Sequence, residues 1–195
     1  MKQTKKIWYA PYKHEAYGQE EIDAVVESLK SGWLGGQGPK SVEFEEKIAK
    51  SFGKKYGVFV NSGSSACLLA IAALVYSKKL NAGDEVLVPA VSWSTTYFPL
   101  SQHNLKLKFI DIDANTLNMD VAQVESAITP KTKAIFAVNL LGNPNDFDAL
   151  NSICEKHNLI LLEDNCESMG AFYKGKAAGT IGEMGTFSTF YSHHL

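Results

Sequence analysis

The feature that most constrains this chain is an alternation that runs along most of its 195 residues: amphipathic helical stretches trade places with short apolar runs. Parallel strands need a crossover connection, and the usual crossover is a helix. The pattern therefore points to an α/β protein with a largely parallel sheet. Ile22, Val25, Val26 and Leu29 fall at i, i+3, i+4 and i+7 of a helix over 20–29 that Gly32 can stop. The Gly-rich stretch 32–39 cannot be helical, and a second amphipathic helix with Phe44, Ile48 and Phe52 follows it, ended by Gly53. A strand is predicted over 56–60, then a turn over 61–65. An almost wholly apolar helix over 66–76 comes next and should be buried on most sides. The turn Asn81-Ala-Gly-Asp84 leads into a strand over 85–89. Further strands are predicted over 107–110, 134–138, 159–162 and 184–190. Asp120 and Gln123 have capping-box spacing for a helix to Ile128, and another helix is predicted around 147–157.

Composition narrows the function. With 45% hydrophobic and 21% charged residues the chain can build a real core, and it is too rich in aromatics for a disordered tail. A formal net charge of −2 gives no bulk attraction for nucleic acid or an acidic membrane surface. No apolar run reaches the roughly 18 residues that span a bilayer, and the basic start lacks the apolar centre of a signal peptide. Cys67, Cys154 and Cys166 stand far apart in the sequence, with no CxxC pair. They read as reduced thiols of a cytoplasmic protein, and no metal site is expected from them. The chain stops just past a strand end carrying polar residues, where α/β sheets build their sites. The expectation is the N-terminal part of a longer enzyme.

Four places carry chemistry. Asn61-Ser-Gly-Ser-Ser65 joins a strand to a helix, and helix N–H groups there suit a phosphate, although a tight turn of small residues reads the same way. Glu163, Asp164 and Glu167 sit at the end of an apolar run and need partners, whether a protonated ring nitrogen, a helix start or a salt bridge. Trp93 follows a strand end and offers a stacking plane, or plain core packing. His193 and His194 would point to opposite faces of a strand, so one of them can serve as an acid/base while the two together make a poor metal pair.

In chain order these give a phosphate turn, an aromatic, a strand-end acid and then Ser188-x-x-x-x-His193. That order resembles the type I pyridoxal-phosphate aminotransferase fold. Ser31-Gly-Trp-Leu34 with Gly38-Pro-Lys40, Asn61-Ser-Gly-Ser-Ser65, Glu163-Asp-Asn165 and Gly185-Thr-Phe-Ser188 resemble the DegT/DnrJ/EryC1/StrS nucleotide-sugar aminotransferases. The resemblance implies a large domain with a mostly parallel mixed sheet between helices. Residues 1–195 would be its N-terminal part, and the C-terminal small domain would be absent. It implies pyridoxal 5'-phosphate or pyridoxamine 5'-phosphate as cofactor. Gly63, Ser64, Ser65 and Ser188 would hold the phosphate, Trp93 would stack on the ring, and Asp164 would pair with the ring nitrogen. Glu167 would lie near the ring hydroxyl, and Asn139 near the ring or substrate.

The family's Schiff-base lysine position is occupied by His193. With Asn139-Leu-Leu-Gly-Asn-Pro144 and Glu163-Asp-Asn-Cys-Glu167, this resembles the branch of sugar 3-dehydratases. Imidazole makes no stable covalent link to the cofactor aldehyde, and it titrates near 6.5 against about 10.4 for a lysine amine. His193 and Asp164 are therefore the implied catalytic pair. His193 would move the cofactor's C4′ proton and assist departure of the sugar's C3 hydroxyl. The implied partners are a nucleotide-linked 4-keto-6-deoxy sugar, glutamate as amino donor and a second copy of the chain in a homodimer. The implied setting is deoxysugar and lipopolysaccharide biosynthesis. An ordinary sugar aminotransferase, a 3-dehydrase that also uses an iron–sulfur cluster, and a non-catalytic regulator on the same fold remain open at this point.

Overall fold

The computed structural model describes residues 17–33, 35 and 37–193. The N-terminal segment, Leu34, Gly36, His194 and Leu195 lie outside the described residues. The chain divides into two units. One holds the described residues up to Phe59 and those from Phe190 on, and the other is Val60–Thr189.

In the first unit, α1 (Gln19–Ser31) ends at Gly32, whose φ of 78° is the left-handed geometry glycine adopts without strain. Its apolar stripe of Ile22, Val25, Val26 and Leu29 is present but exposed. Helix α2 (Pro39–Ser51) opens on a proline, which needs no N–H there. The predicted strand over 56–60 is not formed. A strand exists only through a ladder, and among the described residues no strand pairs with this segment; it lies instead against α2, where a Cβ on Gly57 would come 2.8 Å from the Glu45 carbonyl oxygen. The Phe59 amide instead donates to Glu45 Oε1 at 2.8 Å, and the Phe59 ring meets Phe44 edge-on at 5.0 Å.

The second unit is built on a parallel sheet of five strands in the order β2-β1-β3-β4-β7, flanked by helices. The strands are β1 (Glu85–Pro89), β2 (Lys106–Ile110), β3 (Thr132–Val138), β4 (Ile160–Asp164) and β7 (Met184–Thr186). A hairpin of β5 (Phe172–Tyr173) and β6 (Lys176–Ala177) turns through Lys174 and Gly175, both at positive φ. Helices α3 (Gly63–Tyr76) and α4 (Ser94–Gln102) cover one sheet face. There Cys67, Ile71, Leu74 and Leu100 pack on Val86, Val88, Phe136 and Leu162. Helices α5 (Val121–Ala127) and α6 (Phe147–His157) cover the other with Val124, Phe147, Leu150 and Cys154 on Leu87, Ile135, Ala137 and Leu161. Consecutive residues of β3 thus serve opposite cores, which is why the strand reads as an unbroken apolar run. Each fully buried Phe, Leu or Ile contributes about 1.5–3 kcal/mol.

Three expectations need correction. Helix α3 is apolar all round, yet only one side is buried, and Leu68, Leu69 and Tyr76 are exposed. The last strand ends at Thr186, and 191–193 form a single 3-10 turn. His193 therefore does not sit on a strand, and the argument from alternating faces lapses. Asp120 caps α5 through the Ala122 amide (3.1 Å), while Gln123 bonds the Asp120 carboxyl (2.6 Å) instead of the backbone, so the box is not reciprocal.

Candidate functional site

The carboxyl ends of β3, β4 and β7 converge on the start of α3. Ser62 caps that helix by accepting the Ser65 N–H at 3.1 Å, and the Gly63 and Ser64 N–H groups precede the first intrahelical bond, Ala66 to Ser62. Gly63 is forced by packing. A Cβ there would lie 2.7 Å from Cys166 Sγ and 2.9 Å from Ser188 Cβ. The same contact brings Ser188, buried just past β7, to the helix start. Ser64 and Ser65 border a cleft of about 160 Å³ with Leu68, Thr95, Phe98, Pro99 and Gln102.

Asp164 is the last residue of β4 and only 6% exposed. Its Oδ1 accepts the Cys166 N–H at 3.1 Å, and its Oδ2 accepts the Thr96 hydroxyl at 2.7 Å. Thr96 Oγ1 in turn lies 2.8 Å from Ser92 Oγ. Among the described residues no lysine or histidine pairs with Asp164. A buried acid held by neutral donors alone suits a cationic ring nitrogen. Cys67 Sγ sits 3.5 Å from Asp164 Oδ2, and the Cys166 thiol is pushed up by its hydrogen bond with Cys67, then by burial and the Asp164 charge.

Glu163, next to it, points the other way and is fully buried. Its Oε1 accepts the amides of Ile181 (2.6 Å) and Gly182 (2.7 Å), and its Oε2 accepts the Gly179 amide at 2.6 Å. This carboxyl pins the loop that leads into β7. Trp93 precedes α4 and is 74% exposed, which excludes the core-packing alternative and leaves a ring face available. Glu167 is half-buried, with Oε2 accepting the Leu141 N–H at 3.3 Å.

Asn139 is placed differently from the expectation. It is fully buried, its Nδ2 donates to Glu163 Oε2 and Asn165 Oδ1, and its Oδ1 accepts from Asn145. It braces the loops under the site. His193 belongs to the other unit, half-buried, with its N–H on Phe190 O (2.9 Å) and its ring 5.5 Å from the Phe190 ring. The sequence reading missed Thr96 and the meeting of Cys67 with Cys166. Thr96, in the first turn after Trp93, carried no one-dimensional sign of Asp164, and the cysteines were judged by sequence distance.

The arrangement fits the group the resemblance implies. A helix start has amides to spare, a glycine leaves no room for a side chain, a serine lies beside it, and a buried acid stands at a strand end, with an exposed aromatic at the N-cap of α4, the helix whose Thr96 bonds that acid.

Comparison with known proteins agrees. The pattern of the DegT/DnrJ/EryC1/StrS aminotransferase family matches residues 15–195. The GDP-4-keto-6-deoxy-D-mannose 3-dehydratase of Yersinia pseudotuberculosis is 54% identical over 187 residues, 95% of this chain and 47% of that protein. A solved structure of the E. coli GDP-4-keto-6-deoxy-D-mannose-3-dehydratase with bound hydrated PLP superposes with a TM-score of 0.90 at 52% identity, covering 96% of this chain and 48% of that one. Another, with a trapped PLP-glutamate geminal diamine, gives 0.89 at 50% identity over 95% of this chain and 48% of that one. The chain spans about half the length of the relatives it matches, and its fold is that of these type I enzymes.

Proposed function

Since the chain belongs to the DegT/DnrJ/EryC1/StrS aminotransferase family, we propose that it is part of a nucleotide-sugar 3-dehydratase. That enzyme uses pyridoxal or pyridoxamine phosphate and removes the C3 hydroxyl of a GDP-linked 4-keto-6-deoxyhexose. The observation that carries this reading is Asp164, a buried acid without a basic partner among the described residues, next to a helix start that only glycine can occupy. The likeness to the 3-dehydratases named above supports the substrate class. When bound, the cofactor supplies the amine that takes up the 4-keto sugar and the ring that draws electrons as the C3 hydroxyl leaves.

The chain's own residues then have separate tasks. Gly63, Ser64, Ser65 and Ser188 bind the phosphate. Trp93 stacks on the ring plane. Asp164 holds the proton on the ring nitrogen, and Thr96 fixes the carboxyl that does so. Glu167 orients the ring hydroxyl, and Asn139 keeps the strand-end loops in register. His193 takes the C4′ proton and returns it to the departing hydroxyl. Glutamate restores the amine form in a second half-reaction, in keeping with the glutamate adduct trapped in the similar enzyme. A cytoplasmic homodimer belongs to the same reading. It is supported by the exposed apolar stripe of α1 and by the absence, among the described residues, of any helix long and apolar enough to cross a membrane.

The test is turnover of GDP-4-keto-6-deoxymannose by the full-length protein with glutamate and pyridoxal phosphate. The expected product is lighter by one oxygen atom, with one 2-oxoglutarate and one ammonia formed per sugar. A product carrying nitrogen in place of the 4-keto oxygen would make the protein an aminotransferase instead.

A further inference from the structure

Cys67 lies in the second turn of α3 on the side that faces the sheet, and Cys166 lies two residues past β4. The fold brings them together at Asp164. The two sulfurs and a carboxyl oxygen of Asp164 all fall within 4.8 Å of one another. Cys67 Sγ is 3.5 Å from Asp164 Oδ2 and 3.4 Å from Thr186 Oγ1. A tetrahedral zinc ion with bonds of about 2.3 Å to sulfur and about 2.1 Å to oxygen holds a sulfur and an oxygen about 3.5 Å apart. The Cys67–Asp164 pair therefore already has the spacing of two ligands, and Cys166 Sγ lies within 4.8 Å of both. Its chemistry is selective, because two thiols and one carboxylate favour zinc or cadmium over magnesium or calcium, which take oxygen ligands. Cys67 is 1% exposed, while half-buried Cys166 offers the way in.

We propose that Cys67, Cys166 and Asp164 form a binding site for a thiophilic divalent cation, with Thr186 bordering the fourth position. The cation and the cofactor then exclude each other, since one carboxyl cannot serve both. That exclusion rests on the cofactor role proposed above for Asp164, whereas the site itself does not. Loading the cation displaces both thiol protons to solvent, forms two metal–sulfur bonds and changes no oxidation state.

The test is a cadmium titration of the cofactor-free chain. One equivalent should raise the ultraviolet charge-transfer band of cadmium–thiolate bonds. Cys67→Ser and Cys166→Ser should each weaken binding by more than about tenfold. Cys154→Ser, on α6 under the opposite sheet face, should leave the band intact. An independent readout needs no variant: the bound cation should slow alkylation of half-buried Cys166, read by mass spectrometry. Absence of the band, its persistence in both serine variants, or alkylation of Cys166 at an unchanged rate with the cation bound would overturn the site. Saturation with pyridoxal phosphate beforehand should lower cadmium affinity by at least about tenfold. If cadmium binds through Cys67 and Cys166 but ignores the cofactor, the exclusion fails: about tenfold weaker cadmium binding in Asp164→Asn would then take Asp164 away from the ring, and unchanged cadmium binding would take it out of the metal site.

Discussion

At the scale of single residues the site turns on two side chains. Asp164 is oriented by three donors, the Cys166 amide on Oδ1 and the Thr96 hydroxyl and Cys67 thiol on Oδ2. Asp164→Asn keeps the shape and removes the charge. An amide can still accept a hydrogen bond from the ring, so cofactor affinity should fall by about tenfold, or about 1.4 kcal/mol. Turnover of the full-length enzyme should fall further, by a hundredfold or so, because the protonated ring nitrogen matters most while electrons move into the ring. Equal losses, with turnover per bound cofactor unchanged, would reduce Asp164 to a positioning group. His193 is tested by its own replacement. After borohydride treatment the native protein should carry no cofactor adduct in its mass spectrum, whereas His193→Lys should carry one and dehydrate poorly. An adduct on the native chain would refute the assignment. The positions of Asp164 and the 63–65 turn at strand ends were legible in the sequence because strand ends in an α/β chain can be read in order, while Ser188 came from the family resemblance. Thr96 and the paired thiols were not, since no local pattern says which side chains two crossovers bring face to face.

At the scale of elements, the position of the site depends on carboxyls that do no chemistry. Glu163 receives three backbone amides of the loop before β7. Glu163→Ala strands these donors, the Gly179 amide fully buried and the Ile181 and Gly182 amides partly so, and a fully stranded donor costs about 1–3 kcal/mol. The urea midpoint should therefore drop by the equivalent of about 3 kcal/mol or more, and a loss below 1 kcal/mol would mean that water replaces the carboxyl. Asp146 caps α6 by accepting the Ala149 amide at 3.2 Å and also takes the Tyr173 hydroxyl at 2.8 Å. Those bonds, the Ala149 amide first, hold its carboxyl below the usual range. The folded form therefore gains stability above the ordinary carboxylate value of about 3.9 and loses it as pH falls through the lower folded value. Asp146→Ala should cost about 1 kcal/mol near neutrality. Asp146→Asn should flatten this part of the acid limb in a pH series of urea melts, and an unchanged limb would assign the acid sensitivity elsewhere. Helix positions followed from period and caps, as Gly32 in left-handed geometry at the end of α1 bears out. The 56–60 segment shows the limit of propensity: a strand is defined by its neighbour, and Tyr56, Val58 and Phe59 have no strand beside them among the described residues.

At the scale of the whole molecule, the phosphate turn, Trp93, Asp164 and Ser188 lie in the unit Val60–Thr189, and the candidate base lies in the other. The segment between α2 and α3 is irregular, with Tyr56 75% exposed. Trypsin should cut first at Lys54 or Lys55, within that segment and ahead of any lysine in the sheet. Early cuts at Lys106 or Lys133, which belong to β2 and β3, would contradict it. All 19 basic residues are lysines, so the chain holds point charges and no guanidinium fork for a carboxylate or diphosphate. Recognition of either by this chain uses ammonium groups, imidazoles, side-chain amides, hydroxyls, indole N–H groups or backbone amides. The contact between Gly63 and Ser188 has a further consequence, in the order of synthesis. The phosphate turn is made early on the ribosome, but the residue that closes over it arrives only after β7 has left the exit tunnel. Until then a nascent chain has a helix start without its lid, and the cofactor has nothing complete to join.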